Sequence, residues 1–364
     1  MDDELLYLLS LSLVPQIGPV GARNLIAYCG SASAVFKAKQ KELSKIPGIG
    51  PKLSEQVLQF KDFSRAEREL EYVLRNGVEL LRYTDEAYPR RLKRLADAPL
   101  LLFFRGNANL NPPRTIGIVG TRKCTEYGKD CVKHLVEDIE AYGVQIISGL
   151  AFGIDIQAHR SAVKHHISNI GVVAHGLDRI YPGEHKSTVK EMELNGGLLT
   201  EFFTGTKPDK ENFPSRNRIV AGLCDALIVV ESAKKGGAMI TADIAFSYNR
   251  DVYAYPGEVG KASSEGTHFL IKTQKAGLIE NAADLAYFMG WDQDKNLLKQ
   301  TILPLELSQG ELALLSLFDQ QRNWDIDSLN MDAQLSAGEV ALNLLELEMK
   351  GLIRSLPGKQ YEKT

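Results

Sequence analysis

Short apolar runs alternate with helical patterns through the middle of the chain. The runs fall at 115–119, 144–148, 170–174, 198–200, 226–230 and 252–255, and most are rich in Val and Ile. β-Branched residues suit the pleat of a strand. Strands that are apolar throughout and separated by helices belong to a parallel sheet covered on both faces. The pattern predicts an α/β domain over 76–291, a Rossmann-like, doubly wound, mostly parallel sheet.

The N-terminal segment carries a repeat. Val14-Pro15-Gln16-Ile17-Gly18-Pro19 returns as Ile46-Pro47-Gly48-Ile49-Gly50-Pro51, each followed by helically spaced apolar residues. The pair predicts a helical, SAM-like helix-hairpin-helix domain over 1–75, ending in a helix at 63–75. Its glycines permit tight turns with exposed amides at a helix start, an arrangement that can hold a phosphate. The alternative is a purely architectural pair, since apolar Val20 follows the first turn and only Lys52 usefully follows the second. Residues 83–106 read as a mixed connector broken at Tyr88-Pro89 and Ala98-Pro99. After a polar linker at 292–303, the segment 304–364 predicts a small winged helix. It has a helix at 311–318, an amphipathic helix at 336–350 that stops at Gly351, and a hairpin about Pro357-Gly358.

The net charge of -3 over 364 residues means that any nucleic-acid surface must be a local patch. The four cysteines, Cys29, Cys124, Cys131 and Cys224, match no zinc spacing and no disulfide framework. The histidines are scattered, so neither a metal nor another cofactor is expected. The acidic start Met1-Asp2-Asp3-Glu4 is unlike a secretory signal, and no apolar run reaches the ~18 residues of a membrane span. The expectation is a cytoplasmic protein with no membrane partner.

The candidate chemistry lies in the loops that leave the strands. The first strand runs into Gly120-Thr121-Arg122, where neither the dinucleotide fingerprint nor a Walker loop is present. Ligands of open α/β sheets bind beyond the carboxyl ends of the strands. There Gly120 lets backbone approach an anion and Arg122 offers a fork for phosphate oxygens. Ser148-Gly149-Leu150-Ala151-Phe152-Gly153-Ile154-Asp155 forms a second such loop, in which Asp155 is expected to cap the next helix. A third runs from Gly176 to Lys186, a lysine that either reaches phosphate or stays solvated. The densest segment is Lys210-Glu211-Asn212-Phe213-Pro214-Ser215-Arg216-Asn217-Arg218. An aromatic among cations at a helix start suits single-stranded nucleic acid, with a base stacked on the ring and cations along the backbone. Lys210 and Arg216 are read as backbone contacts, Arg218 as paired with Glu201 or Glu231, and Phe213 as either base platform or core. A glycine-rich turn, Lys234-Lys235-Gly236-Gly237-Ala238, is placed to close the far side of the crevice. No catalytic set stands out, and Glu231 is the best single acid or base, with a structural role the more ordinary one.

Taken in order, these loops resemble the DprA/Smf family of DNA-processing proteins. The resemblance rests on the N-terminal repeat, Tyr88-Pro89, Gly120-Thr121-Arg122, the 148–155 loop, Tyr181-Pro182, Thr200-Glu201, the Phe213–Arg218 motif, Thr241-Ala242, Pro256-Gly257 and the terminal winged helix. It implies a protein without catalytic turnover that binds incoming single-stranded DNA, protects it, and helps to load the RecA recombinase in transformation. It also implies a homodimer formed through the Rossmann-like domain, with self-association through 266–279. In the family the arginine and lysine at the positions of Arg122 and Lys210 contact DNA, and Phe213 is the aromatic of the same motif. With the readings above, the expected DNA-binding set is Gly120, Thr121, Arg122, Gly176, Lys186, Lys210, Phe213, Arg216 and Asn217. The chain departs from the family at Gly236-Gly237-Ala238, where a hydroxyl-bearing Ser-Gly-Ser/Thr is usual, and at His268 and Lys275 near the self-association segment.

Two rivals remain at the level of sequence. One is a Rossmann-like nucleotide-binding N-glycosidic hydrolase, with Glu231 as acid and Arg122 as phosphate anchor. The other is an adaptor that chiefly binds proteins. Fold alone does not decide between them.

Overall fold

The computed structural model describes residues 3–291, 307–318, 323–333, 335–356 and 360–363. The linker expected at 292–303 and the hairpin tip at Pro357-Gly358 lie outside the described residues. The chain divides into two compact units, Met1–Asp292 and Gln293–Thr364.

The first unit opens with six helices: α1 (Asp3–Leu13), α2 (Pro19–Cys29), α3 (Ala32–Lys37), α4 (Gln40–Leu43), α5 (Pro51–Gln59) and α6 (Ser64–Arg75). Both repeats make the same turn. Gly18 and Gly50 are extended residues at the N-caps of α2 and α5, and each is followed by a proline whose fixed φ suits the first helical position. Each turn needs one residue at positive φ, supplied by Gly48 (+81°) in the second copy and by Gln16 (+62°) in the first.

Then come β1 (Glu79–Arg82), α7 (Arg90–Lys93), β2 (Leu101–Gly106), β3 (Thr115–Val119), α8 (Glu126–Ile139), β4 (Gln145–Ser148) and α9 (Ile154–Lys164). The unit continues with β5 (Asn169–Val172), α10 (Lys186–Asn195), β6 (Gly196–Thr200), α11 (Asn212–Leu223), β7 (Ala226–Val229) and α12 (Gly237–Ser247). It closes with β8 (Asp251–Ala254), α13 (Glu265–Lys272), β9 (Gly277–Leu278) and α14 (Ala282–Phe288). All nine strands form one sheet, ordered β1-β2-β6-β5-β4-β3-β7-β8-β9. From β6 to β9 every pair is parallel, whereas β1 and β2 add an antiparallel edge. The sheet is doubly wound about β3. Ile116 and Ile118 pack on Val132, Leu135 and Ala158 of α8 and α9, while Val119, Val172 and Val229 face Ile219, Val220 and Ala242 of α11 and α12.

β3 pairs with β4 on one side and β7 on the other, so the crossovers leave it in opposite directions. That reversal opens a crevice beyond the carboxyl ends of β3 and β7. The helical segment shares a core with this sheet, since Leu9, Leu25, Val57 and Leu70 belong to the same buried cluster as Leu101, Phe103, Val173 and Leu198.

The second unit contains α15 (Gln309–Phe318), β10 (Asn323–Asp325), α16 (Ile326–Asp332), α17 (Ala337–Met349), β11 (Ile353–Leu356) and β12 (Gln360–Lys363). Among its described residues, three helices and a three-stranded sheet ordered β10-β12-β11 make a winged helix. Among the described residues no helix is long and apolar enough to cross a membrane.

Candidate nucleic-acid interface

The crevice at the switch point holds a cavity of about 420 Å³. Three strand-end loops and helices α11 and α12 line it: Gly120-Thr121-Arg122-Lys123 after β3, Gly149 and Ala151 after β4, Ser232, Ala233 and Gly236 after β7, Phe213, Arg216 and Asn217 from the first turns of α11, and Gly237, Ala238 and Thr241 from α12. Six of the nine expected residues therefore meet in one place.

The loops are held by close packing. A Cβ on Gly120 would meet the Ile154 side chain at 2.4 Å, and one on Gly153, at φ +77°, would meet the Thr121 carbonyl oxygen at 2.1 Å. The Ile154 side chain by itself requires a glycine at 120. The Thr121 amide donates to the Glu231 carbonyl at 2.7 Å, and the Ile154 amide donates to the Thr121 carbonyl at 3.2 Å. What the loop leaves free is its side chains. Arg122 is exposed and makes no ion pair among the described residues; its guanidinium stands 5.1 Å from the ring centre of Phe213. Lys123, a second exposed cation in the same loop, was not singled out by sequence reasoning. The turn into α12 brings a helix start to the far wall, where Gly236 occupies the N-cap and no side chain caps it. Lys234, in that turn, instead lies over Phe269.

Arg216 corrects the sequence reading. It is buried, and its Nη1 donates to the carbonyls of Gly149 and of Val172, the latter at 2.6 Å. Nε donates to Asn217 Oδ1 at 3.1 Å, and the guanidinium lies 5.6 Å from the Phe213 ring centre. Burial pulls its pKa down to about 10, against the opposing field of Asp155, so it stays charged at neutral pH. Burial raises the Asp155 carboxyl, while Arg216 and the amides of Ala151 and Gly149 hold it down. Asp155 does not cap α9, whose N-cap is Gly153; it sits inside the first turn and braces the preceding loop. Arg216 and Asp155 form a strut beneath the loops. Phe213, half-buried with a guanidinium at each of two positions about its ring, is a platform on that strut.

Three expected contacts lie elsewhere. Gly176 is buried, and a Cβ there would meet the Phe203 carbonyl oxygen at 2.4 Å, so its lack of a side chain serves the 203–206 loop. Lys186 is exposed at the start of α10 and does not line the cavity. Lys210 is exposed in the turn leading into α11, outside the cavity lining. Arg218 pairs with Glu201, one of the two partners expected for it, and donates to the Asp97 carbonyl at 2.8 Å.

Beside the cavity runs a narrow slot that shares Arg122, Phe213 and Arg216 as a wall and is closed by Phe152, His175, Tyr181 and Pro182. Phe152 and Tyr181 are 43% and 47% exposed and present aromatic surface beside Arg122 and Phe213. The available signal for Phe152 was its position between Ala151 and Gly153, in a loop with no core to enter.

Glu231 turns away from this crevice. It is buried, accepts from the Thr125 amide at 2.9 Å and from Thr125 Oγ1 at 2.6 Å, and does not line the cavity beside Arg122. It fastens the start of α8.

Comparison with known proteins follows the same division of the chain. Residues 79–290 match the model of the family described as DNA recombination-mediator protein A, residues 301–359 that of the DprA winged helix domain, and residues 6–60 that of the SAM-like helix-hairpin-helix tandem. Protein Smf of Synechocystis is 28% identical over 396 residues, covering 100% of this chain and 99% of its own. The DNA processing protein DprA of Bacillus subtilis is 40% identical over 210 residues, covering 57% of this chain and 70% of its own. Among solved structures, DprA of Streptococcus pneumoniae superposes with a TM-score of 0.66 at 29% identity over 79% of this chain and 98% of that one. DprA of Helicobacter pylori, a protein with a described single-stranded DNA binding mode, gives 0.54 at 30% identity, over 59% of this chain and 96% of that one.

Proposed function

The chain belongs to the DNA recombination-mediator protein A family, and from that premise we propose that it binds single-stranded DNA in the crevice at the switch point. In this reading Arg122, Lys123 and Lys210 meet phosphates, Phe213 carries a base, Asn217 and the backbone of Gly120 and Thr121 shape the floor, and Arg216 supports it. Bound in this way, incoming DNA is shielded and handed to the RecA recombinase. The protein acts in the cytoplasm as a homodimer formed through the Rossmann-like domain, without turnover of a substrate.

The observation that carries the reading is Arg122, an exposed cation without a carboxylate partner among the described residues, lying over Phe213 at a cavity that the start of α12 also lines. Phosphate suits both the guanidinium and the helix end, and base stacking suits the aromatics. The nucleotide-hydrolase reading needs an acid beside Arg122, and Glu231 is spent on Thr125.

The test is binding of a labelled poly-dT oligonucleotide across several salt concentrations. The wild type is expected to prefer single strands to duplex. Arg122→Ala/Lys210→Ala is expected to lose most of the affinity, with a salt slope smaller by about 1–2. Equal binding by the double variant would remove the crevice from the DNA path.

A further inference from the structure

The winged-helix unit closes a core of its own, to which α17 contributes Val340, Leu344 and Leu347. At 3.6 residues per turn, α17 carries a second apolar stripe on its outer face: Gly338, Leu342, Leu345 and Met349. Leu342, Leu345 and Met349 are 57%, 55% and 81% exposed. The spacing of four, three and four residues is that of a coiled-coil seam. Such a stripe on a helix in water marks a surface awaiting a partner.

The flanks state the partner's chemistry. Glu339 and Glu346 border the stripe on one side, and Ala341 and Glu348 on the other. Glu339 is fixed by Ser336 and Glu348 by Ser355, so both charges are held at the rim. Lys350, at the end of the helix, turns to buried Glu311 and does not neutralise them. Between 304 and 364 the sequence has ten acidic and five basic residues.

We propose that the outer face of α17 is a docking surface for a basic amphipathic helix of another protein, about three turns long. Its apolar residues, at alternating three and four spacing, pack on Leu342, Leu345 and Met349, and its Lys or Arg side chains flank them opposite Glu339, Glu346 and Glu348. Duplex DNA is a poor occupant because its phosphates would face three carboxylates. A second copy is a poor one too, since antiparallel pairing of α17 with itself sets Glu339 against Glu346, and parallel pairing offers Glu346 only Ala341 and no cation. The exposed methionine gives the seam a side chain that adapts its shape to the partner.

The test uses the full chain and three labelled synthetic peptides of four helical turns, read by fluorescence anisotropy. One has Leu at seam positions and Lys on the flanks; the second replaces Lys by Glu; the third is the first in scrambled order. The Lys peptide is expected to bind at least tenfold tighter than either control. Leu342→Ser/Leu345→Ser is expected to weaken it tenfold or more, and Ala341→Lys/Glu346→Lys, which sets one Lys beside one Glu on each flank, to abolish the preference for the Lys peptide over the Glu peptide. All four substitutions fall on the outer face or its flanks, so the melting temperature reports whether each variant stays folded. Equal binding of the scrambled peptide, or an unchanged affinity in the leucine variant, overturns the proposal. So does binding of a duplex oligonucleotide that depends on Leu342 and Leu345.

Discussion

Arg122 and Arg216 both stand over the ring of Phe213, yet a substitution at each should register in a different measurement. Removing the Arg216 guanidinium leaves Asp155 buried without its cation and frees the carbonyls of Gly149 and Val172. Each buried group left without its partner in this way costs about 1–3 kcal/mol. Arg216→Ala is therefore expected to lower the urea midpoint sharply, whereas Arg122→Ala, on the surface, should move stability by less than about 0.5 kcal/mol and lose DNA affinity instead. An Arg216→Ala protein as stable as wild type but blind to DNA would restore Arg216 to the ligand set. The sequence places Arg216 and Arg218 in one basic segment; the expected pairing of Arg218 with Glu201 is present, whereas Arg216 points inward and not toward solvent. Two residues apart on α11, they are about 200° apart around the axis, so one runs under the 149 loop and the other to Glu201. Residue type showed that cations gather here; only the phase of the helix decides which of them meets solvent.

At the scale of elements, legibility followed burial on both faces. The six apolar runs coincide with β3 to β8 to within one or two residues at each end, because strands covered by helices on both sides have no polar face to blur the pattern. β1, β2 and β9 went unread for separate reasons. β1 has only Leu80 and Leu81 as apolar residues, β2 lies in a connector punctuated by Pro89 and Pro99, and β9 is two residues long. The repeated hairpin was legible as a repeat, but not the strain in its first copy. Gln16 holds the left-handed conformation that Gly48 takes in the second, and a side chain there costs about 1–2 kcal/mol. Gln16→Gly is expected to stabilise by up to about 1 kcal/mol once backbone entropy is set against the relief. Gly48→Ala, where nothing within 4 Å would touch the new Cβ, should destabilise by about 1–2 kcal/mol through backbone conformation alone. Urea titration of the two variants checks both signs. Opposite shifts support one shared turn geometry, and a destabilised Gln16→Gly would mean that the glutamine side chain has a role that its backbone conformation hides.

For the whole molecule, a change of sequence pattern is a weak guide to what unfolds together. The helical segment and the sheet read as different architectures, and their boundary near residue 75 is visible in composition. Whether their apolar faces meet is decided by side chains far apart in sequence, such as Leu70 and Leu198. A polar clamp reinforces that shared core. Glu69, buried on α6, accepts from the Thr204 amide at 3.0 Å and from its hydroxyl at 2.6 Å, while Arg65 bridges back to the Thr204 carbonyl at 2.5 Å. With a common core, residues 3–291 should melt in one calorimetric transition, and the winged helix, with its separate cluster, in another. Glu69→Ala leaves the Thr204 donors without their acceptor, a loss of about 2–3 kcal/mol. The main transition should then fall by about 4–8 °C as a single peak, with the second transition unmoved. If that peak instead splits in two, the helices fold apart from the sheet, and the apolar contact between them contributes too little to couple the two.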